Sequence, residues 1–124
     1  MNMKVKEFEF DESIVDVLPR PVGYRLLVAC PGMEEKTEGG IIIAEDYRKK
    51  ESTASILGYV VEMGDDAYLD EDKFPNGPYC EAGDWVVFRS YSGTRFKVRG
   101  QEFRLINDDT VEAVVTDPSG VERA

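Results

Sequence analysis

Short apolar runs separated by glycine-containing turns are the feature that most limits how this chain can fold. The runs are rich in Val, Ile, Leu and aromatic residues, and no long segment has the 3.6-residue periodicity of an amphipathic helix. In chain order, the predicted strands are residues 25–30, 56–63, 84–88, 96–99, 102–106 and 110–115. Strands of this length and spacing are typical of small antiparallel barrels. We therefore predict an all-β fold, a small and partly open β-barrel.

Length and charge limit the classes of function. The chain has 124 residues, which suits one domain, and a formal net charge of -10. Sequence-independent nucleic-acid binding needs Lys and Arg to replace phosphate counterions, so an acidic chain argues against it and against anionic membranes. The sequence has neither an apolar run near the length of a membrane span nor an apolar secretion signal. We expect a cytoplasmic protein.

The chain contains no histidine and two cysteines, Cys30 and Cys80. Two sulfurs without histidine do not complete a zinc site, so we expect no metal. Histidine is also the commonest general base near neutral pH, and no nucleophile elbow, phosphate loop or dinucleotide fingerprint is present. Carboxylate chemistry stays open, although no local cluster of residues supports it. A disulfide between Cys30 and Cys80 is open too, but a cytoplasmic chain favours free thiols.

A long polar stretch, residues 33–55, separates the first two predicted strands. It holds two adjacent glycines followed by three isoleucines, which are Gly39, Gly40, Ile41, Ile42 and Ile43. Burial of each isoleucine is worth roughly 1.5–3 kcal/mol. One interpretation is a buried strand that begins at Ile41. The other is an apolar anchor on a loop that another molecule buries, because loops this long in small domains are functional or disordered.

Three further segments lie outside the predicted strands. Residues 1–20 form an N-terminal extension with a short helical turn around Ile14, Val15 and Leu18, and either dock on the domain or form a disordered arm. Residues 66–79 form an acidic hairpin or loop with a turn at Asn76-Gly77. Residues 118–124 form a polar tail.

Five segments, taken in order, resemble the GroES-type co-chaperonins, the chaperonin-10 family. They are residues 21–28, 35–43, 58–64, 82–88 and 100–115. The first resembles the opening proline and first strand, with Tyr24 in place of the usual acidic residue, and the second resembles the mobile loop, where a Gly-Gly pair precedes three aliphatic residues. Residues 1–20 and the tail are extra, and residues 65–79 are longer and more acidic than usual. These departures indicate a divergent member, for which we consider a viral origin.

The resemblance implies a non-enzymatic co-chaperonin. Residues 21–117 would be the GroES-like domain, with a roof hairpin and a long mobile loop. Its copies would form a homoheptameric ring that caps a double-ring ATP-dependent chaperonin of the GroEL type and encloses unfolded substrate proteins. The chaperonin-binding residues would be Gly39, Gly40, Ile41, Ile42 and Ile43. The chain itself would need no cofactor, because the partner chaperonin binds the ATP, and it would work in the cytoplasm, that of the host if a virus encodes it.

The resemblance also assigns three other sets of residues. The subunit interface would pair the first strand with the last strand of a neighbour, through Arg25, Leu26, Leu27, Val28, Val111, Val114 and Val115; the alternative is that both strands pair within one barrel. The roof would carry Asp65, Asp66, Asp70, Glu71 and Asp72, whose mutual repulsion predicts an open or salt-sensitive roof; the alternative is a solvated surface loop. Tyr91 would face the enclosed cavity, or else be an ordinary tyrosine at the barrel rim.

Two other barrel proteins are alternatives. An OB-like binding module with no chaperonin partner shares the strand pattern, but it would need the basic and aromatic surface that this acidic chain lacks. The GroES-like domain of a zinc-dependent dehydrogenase would need zinc ligands and an attached nucleotide-binding domain, and this sequence has neither.

Overall fold

Six antiparallel strands make up the domain in a computed structural model, which describes residues 12–31 and 55–124. The strands are β1 Arg25–Ala29, β2 Leu57–Met63, β3 Trp85–Phe88, β4 Thr94–Val98, β5 Gln101–Asn107 and β6 Val111–Val115. Short 3-10 helices cover Glu12–Val17, Asp108–Thr110 and Pro118–Gly120. All six strands were predicted, with boundaries that differ by at most two residues. Within the described ranges, no helix is long and apolar enough to cross a membrane.

The strands form one sheet in the order β4-β5-β1-β2-β3-β6. β1 lies in the interior of the sheet, where it pairs with β2 along one edge and with β5 along the other. β4 and β6 are the terminal strands. The all-β, partly open barrel predicted from the strand pattern is confirmed.

Alternation along β1 divides the apolar residues between the two faces of the sheet. Leu26 and Val28 belong to the larger cluster and Leu27 and Ala29 to the smaller one. The larger cluster contains Leu26, Val28, Val60, Ala67, Tyr68, Phe74, Cys80, Val86, Phe88, Ile106 and Val111. The smaller contains Ile14, Leu27, Ala29 and Phe103, with six half-buried neighbours around them. Both faces of β1 are therefore covered, and all four side chains are fully buried.

The hairpin between β4 and β5 turns one residue earlier than the sequence indicated. Val98 pairs with Gln101, so Arg99 and Gly100 are the two turn residues, whereas the predicted strands 96–99 and 102–106 left Gly100 and Gln101 between them. Both have positive φ, 47° and 86°. This is the conformation that a two-residue hairpin turn requires, because its twist matches that of the strands.

Residues 64–84, which include the acidic stretch, form a series of turns without paired strands. For residues 66–79 the sequence left a hairpin and a loop open, and the structure forms a loop. Tyr68 holds it to the core: its backbone N–H donates to Asp108 Oδ2 at 3.0 Å, and its hydroxyl donates to the Asp108 carbonyl at 2.8 Å. Phe74 is also buried, with its ring edge-to-face on Tyr68 at 4.9 Å. Burial of these aromatic residues decides the path, because a straight hairpin would carry them away from the core.

The N-terminal extension docks on the smaller cluster as far as the structure describes it. Ile14, in the Glu12–Val17 helix, is 2% exposed and packs with Leu27 and Phe103. Arg99 Nη1 also donates to the Ser13 carbonyl at 2.9 Å. Residues 12–18 are thus part of the folded domain, while residues 1–11 lie outside the described ranges.

Candidate partner-binding surfaces

The predicted chaperonin-binding residues Gly39–Ile43 lie outside the described residues. The structure does describe the chain on both sides of their segment, at the end of β1 and at the start of β2. β1 and β2 are adjacent antiparallel strands, with Ala29 opposite Tyr59. After β1, the Cys30 N–H donates to the Glu102 carbonyl at 3.0 Å. Before β2, the Ile56 carbonyl accepts from the Phe88 N–H at 2.9 Å. Both points are therefore bonded to neighbouring strands of the sheet.

The predicted subunit-interface residues occupy two different environments. Arg25 is exposed, but Leu26, Leu27 and Val28 are fully buried, and β1 has β2 and β5 on its two edges. A neighbouring subunit therefore finds no free edge on β1 in this arrangement, because both rows of its backbone groups are already paired. The structure thus places Arg25–Val28 inside one sheet, as in the alternative stated above for that strand.

β6 is a terminal strand of the sheet, and its pairing partner is β3. Its other edge faces no strand among the described residues. Val111 is buried, Val115 is half-buried and Val114 is 49% exposed. A free edge with an exposed valine is a place where another chain can add a strand.

The predicted roof residues are all exposed; they are Asp65, Asp66, Asp70, Glu71 and Asp72. Local bonds hold this stretch in place. Asp70 Oδ1 accepts from the backbone N–H groups of Asp72 and Lys73, at 3.0 and 3.2 Å. Lys73 Nζ lies 2.6 Å from Asp109 Oδ2. The acidic side chains therefore project from a loop that is fixed to the domain on its inner side.

Tyr91 lies at the tip of the turn between β3 and β4 and is 89% exposed. The turn is constrained beneath it. The Ser92 N–H donates to the Arg89 carbonyl at 3.1 Å, and Gly93 has a φ of 75°. A Cβ at Gly93 would lie 2.2 Å from the Leu105 carbonyl oxygen, so only glycine fits this close approach. The structure thus presents a large exposed ring on a fixed turn.

Both cysteines are buried free thiols, the state expected of a cytoplasmic chain, rather than the disulfide that the sequence left open. Burial raises the pKa of the Cys30 thiol to about 12, with a further contribution from Glu102. Burial also raises the pKa of Cys80, whose Sγ lies 3.4 Å from the Tyr68 hydroxyl. Among the residues described, no group of three or more Cys, Asp or Glu side chains could hold a metal ion.

These thiols give a prediction about pH. The thiolate is the reactive form, so both cysteines should resist alkylation in the native state at about pH 8 and react once urea unfolds the chain. From the ordinary pKa of 9.0 upward, the unfolded state releases these protons while the folded state retains them, so the free energy of unfolding should fall as the pH rises from 9 toward 12. Urea titrations of the wild type and of a Cys30→Ala, Cys80→Ala variant measure the difference. Equal alkylation rates in the native and unfolded states would contradict the prediction.

Sequence reasoning missed Arg104, which is completely buried in β5. The alternation of the strand alone did not place Arg104 inside, because apolar residues lie on both faces of β5, Phe103 and Leu105 on one and Ile106 on the other. In the structure, Phe103 belongs to the smaller cluster and Ile106 to the larger one, which places Arg104 on the inward face with Ile106. An arginine at an inward position of a small barrel is uncommon, because a buried charge is costly.

The comparisons with known proteins agree with this geometry. Residues 19–115 match the family described as the chaperonin 10 kDa subunit. The co-chaperonin GroES of Lawsonia intracellularis is 35% identical over 102 residues, which cover 82% of this chain and 95% of the relative. That of Caldicellulosiruptor saccharolyticus is 32% identical over 98 residues, covering 79% and 97% respectively. That of Tetragenococcus halophilus is 33% identical over 96 residues, covering 77% and 97%. The chain therefore belongs to the chaperonin-10 family, and as a member of that family it has a co-chaperonin role and is not an enzyme.

Proposed function

We propose that this chain caps a double-ring ATP-dependent chaperonin of the GroEL type in the cytoplasm and helps to enclose substrate proteins for folding. The observation that carries the proposal is the position of Gly39–Ile43 in a chain of this family. The motif lies between two adjacent central strands, β1 and β2, and of the strands that the structure describes these two are separated by the longest stretch of sequence. Three isoleucines beside a Gly-Gly pair supply an apolar anchor for a groove on the chaperonin.

Weak individual contacts suit this role. A single isoleucine triplet buries little surface, so one subunit should bind the chaperonin weakly. Linking several copies in a ring makes each later contact intramolecular, and the total affinity then exceeds that of one contact by orders of magnitude. Weak single contacts also allow release when the nucleotide state of the chaperonin changes.

We propose that the ring is closed at the free edge of β6. The other strand that the sequence suggested for this contact, Arg25–Val28, is already paired on both edges. The neighbouring subunit would instead supply the chain that leads into its β1. Val22 is 63% exposed there and Tyr24 is 47% exposed, and both are available for an apolar contact with Val114. Tyr91 would face the enclosed space, where an exposed aromatic ring can contact a substrate protein.

The test of this function is capture of the wild-type protein by a purified double-ring chaperonin. We expect co-sedimentation in the presence of ATP or ADP and little without nucleotide. Failure of the wild type to co-sediment in any nucleotide state would contradict the proposal. A salt-dependent gel shift with single-stranded DNA would favour the OB-like alternative instead.

The acidic residues give a separate prediction if the roof lies around the ring axis. Asp65, Asp66 and their neighbours would then approach the same residues of other subunits, and like charges would repel. Raising the ionic strength from about 0.01 M to about 0.15 M shortens the screening length from roughly 30 to roughly 8 Å, so the ring should become more stable. Asp65→Asn with Asp66→Asn should reduce this salt dependence, whereas Glu122→Gln in the tail should not. Equal salt dependence of all three proteins in sedimentation would favour a solvated loop.

A further inference from the structure

Arg104 is the largest fully buried side chain of the described residues. Its guanidinium lies over the ring of Phe88, with 4.9 Å between its Cζ and the ring centroid. No carboxylate forms an ion pair with it among residues 12–31 and 55–124. Burial also lowers the pKa of this guanidinium, the direction expected for a charge removed from water.

One nitrogen of Arg104 makes all of its described hydrogen bonds. Nη1 donates to the carbonyls of Ser55 at 3.2 Å, Ser90 at 3.0 Å and Ser92 at 3.4 Å. Nε and Nη2 are buried and have no acceptor in the described part of the chain. The side chain thus uses a buried charge to bind three backbone carbonyls from two separate connections.

Those two connections are the ones that carry the proposed working parts. Ser55 is the first described residue after the segment that contains Gly39–Ile43. Ser90 and Ser92 flank Tyr91 in the turn between β3 and β4. Because Nη1 binds carbonyls from both, a single side chain joins the two connections inside the barrel.

Stability alone does not explain an arginine at this position. A buried charge without an ionic partner is costly, and an apolar residue of similar length packs against Phe88 at a lower cost. Side chains that break a local rule of this kind are concentrated at functional positions. What arginine supplies and an apolar residue lacks is the set of hydrogen bonds to Ser55, Ser90 and Ser92.

We propose that Arg104 is a positioning residue that fixes the β2 end of the chaperonin-binding segment to the turn that carries Tyr91. This inference rests on the proposed function and adds the side chain that holds Ser55, the first described residue after that segment, in place. A fixed end reduces the conformational freedom that docking must remove, so it strengthens each contact. It also makes the Tyr91 turn and the end of the segment move together.

Hydrogen exchange of the isolated protein tests the connection without any chaperonin. In Arg104→Met, exchange of the amides in residues 56–58 and 89–93 should rise about tenfold relative to those in β6, the effect of losing one hydrogen bond or more. In Arg104→Lys the exchange of these amides should rise less, because an ammonium still donates to the same carbonyls. The control is Val60→Ala, which removes core volume in β2 and should raise exchange across the sheet. Equal profiles for Arg104→Met and the wild type, or for Arg104→Met and Val60→Ala, would overturn the inference. If Arg104→Met does not fold, the exchange profiles of Arg104→Lys and Val60→Ala are compared in the same way.

Capture by the chaperonin separates this inference from the proposed function. We expect Arg104→Met to be captured about tenfold more weakly than Val60→Ala, compared at a temperature at which both are folded. If the wild type is captured and the two variants are captured equally, the positioning role fails while the function stands. If the wild type is not captured, the function fails, and the exchange profiles alone decide whether Arg104 joins the two connections.

Discussion

Ile42→Asp is expected to abolish capture by the chaperonin while leaving the folded domain intact. In the proposed complex, Ile42 is the middle residue of the apolar anchor. Its replacement removes about 1.5–3 kcal/mol of burial for each subunit and adds a charge that the groove would have to desolvate. Because the ring binds through several copies at once, the free energy lost at each contact adds up, and the affinity of the whole ring falls far more than that of one contact.

Two measurements on the same samples check this result. Co-sedimentation with the chaperonin in ATP reports capture, and thermal unfolding reports the stability of the domain. Glu45→Gln changes charge in the same segment without touching the triplet and should be captured like the wild type. If Ile42→Asp lowers both capture and the melting temperature strongly relative to the wild type, the triplet is a core strand and the anchor hypothesis is wrong.

Val114→Asp is expected to break the ring into monomers. Val114 is 49% exposed on the terminal strand β6, so the substitution disturbs little inside the domain. At a subunit contact, however, it would place an unpaired carboxylate between two chains, and aspartate is among the residues least suited to a strand. Capture should fall with the ring, because monomers lose the gain from linked contacts.

Sedimentation velocity at micromolar concentration measures this effect. The matched control is Thr94→Asp, an exposed position on β4 at the opposite end of the sheet. It carries the same new charge on a terminal strand and should leave the ring assembled. A wild type that sediments as a monomer under these conditions would contradict the ring proposal. If Thr94→Asp breaks the ring and Val114→Asp does not, the subunit contact lies at β4 rather than β6.

Local sequence patterns were sufficient for the strands and for the candidate anchor. Runs such as Leu57–Met63 and Trp85–Phe88 combine β-branched and aromatic residues with flanking glycines, which favours strands whatever their neighbours are. The Gly39–Ile43 motif could be singled out because its composition conflicts with the polar stretch around it. Family membership was also accessible from the order of such segments, and the comparisons confirm it.

Strand order could not be read from the same patterns. The burial of Leu26, Leu27 and Val28 was compatible with an interior strand or with a strand at a subunit interface, since both bury apolar side chains. The pairing of β1 with β2 and β5 within the chain depends on contacts between residues far apart in the sequence, so the sequence alone did not give it. For the same reason, the choice between hairpin and loop for residues 66–79 rested on Tyr68, which bonds to Asp108 forty residues later.

The sequence by itself determined the all-β class, the position of the strands and the family, because these follow from local periodicity, turn residues and motif order. Tertiary structure alone decided which of the described strands end the sheet, where the acidic loop is attached and that Arg104 lies inside the barrel. The physical reason is that burial and backbone pairing are properties of distant residues brought together. An arginine in a strand looks exposed until the fold shows that the carbonyls of Ser55, Ser90 and Ser92 meet around its side chain.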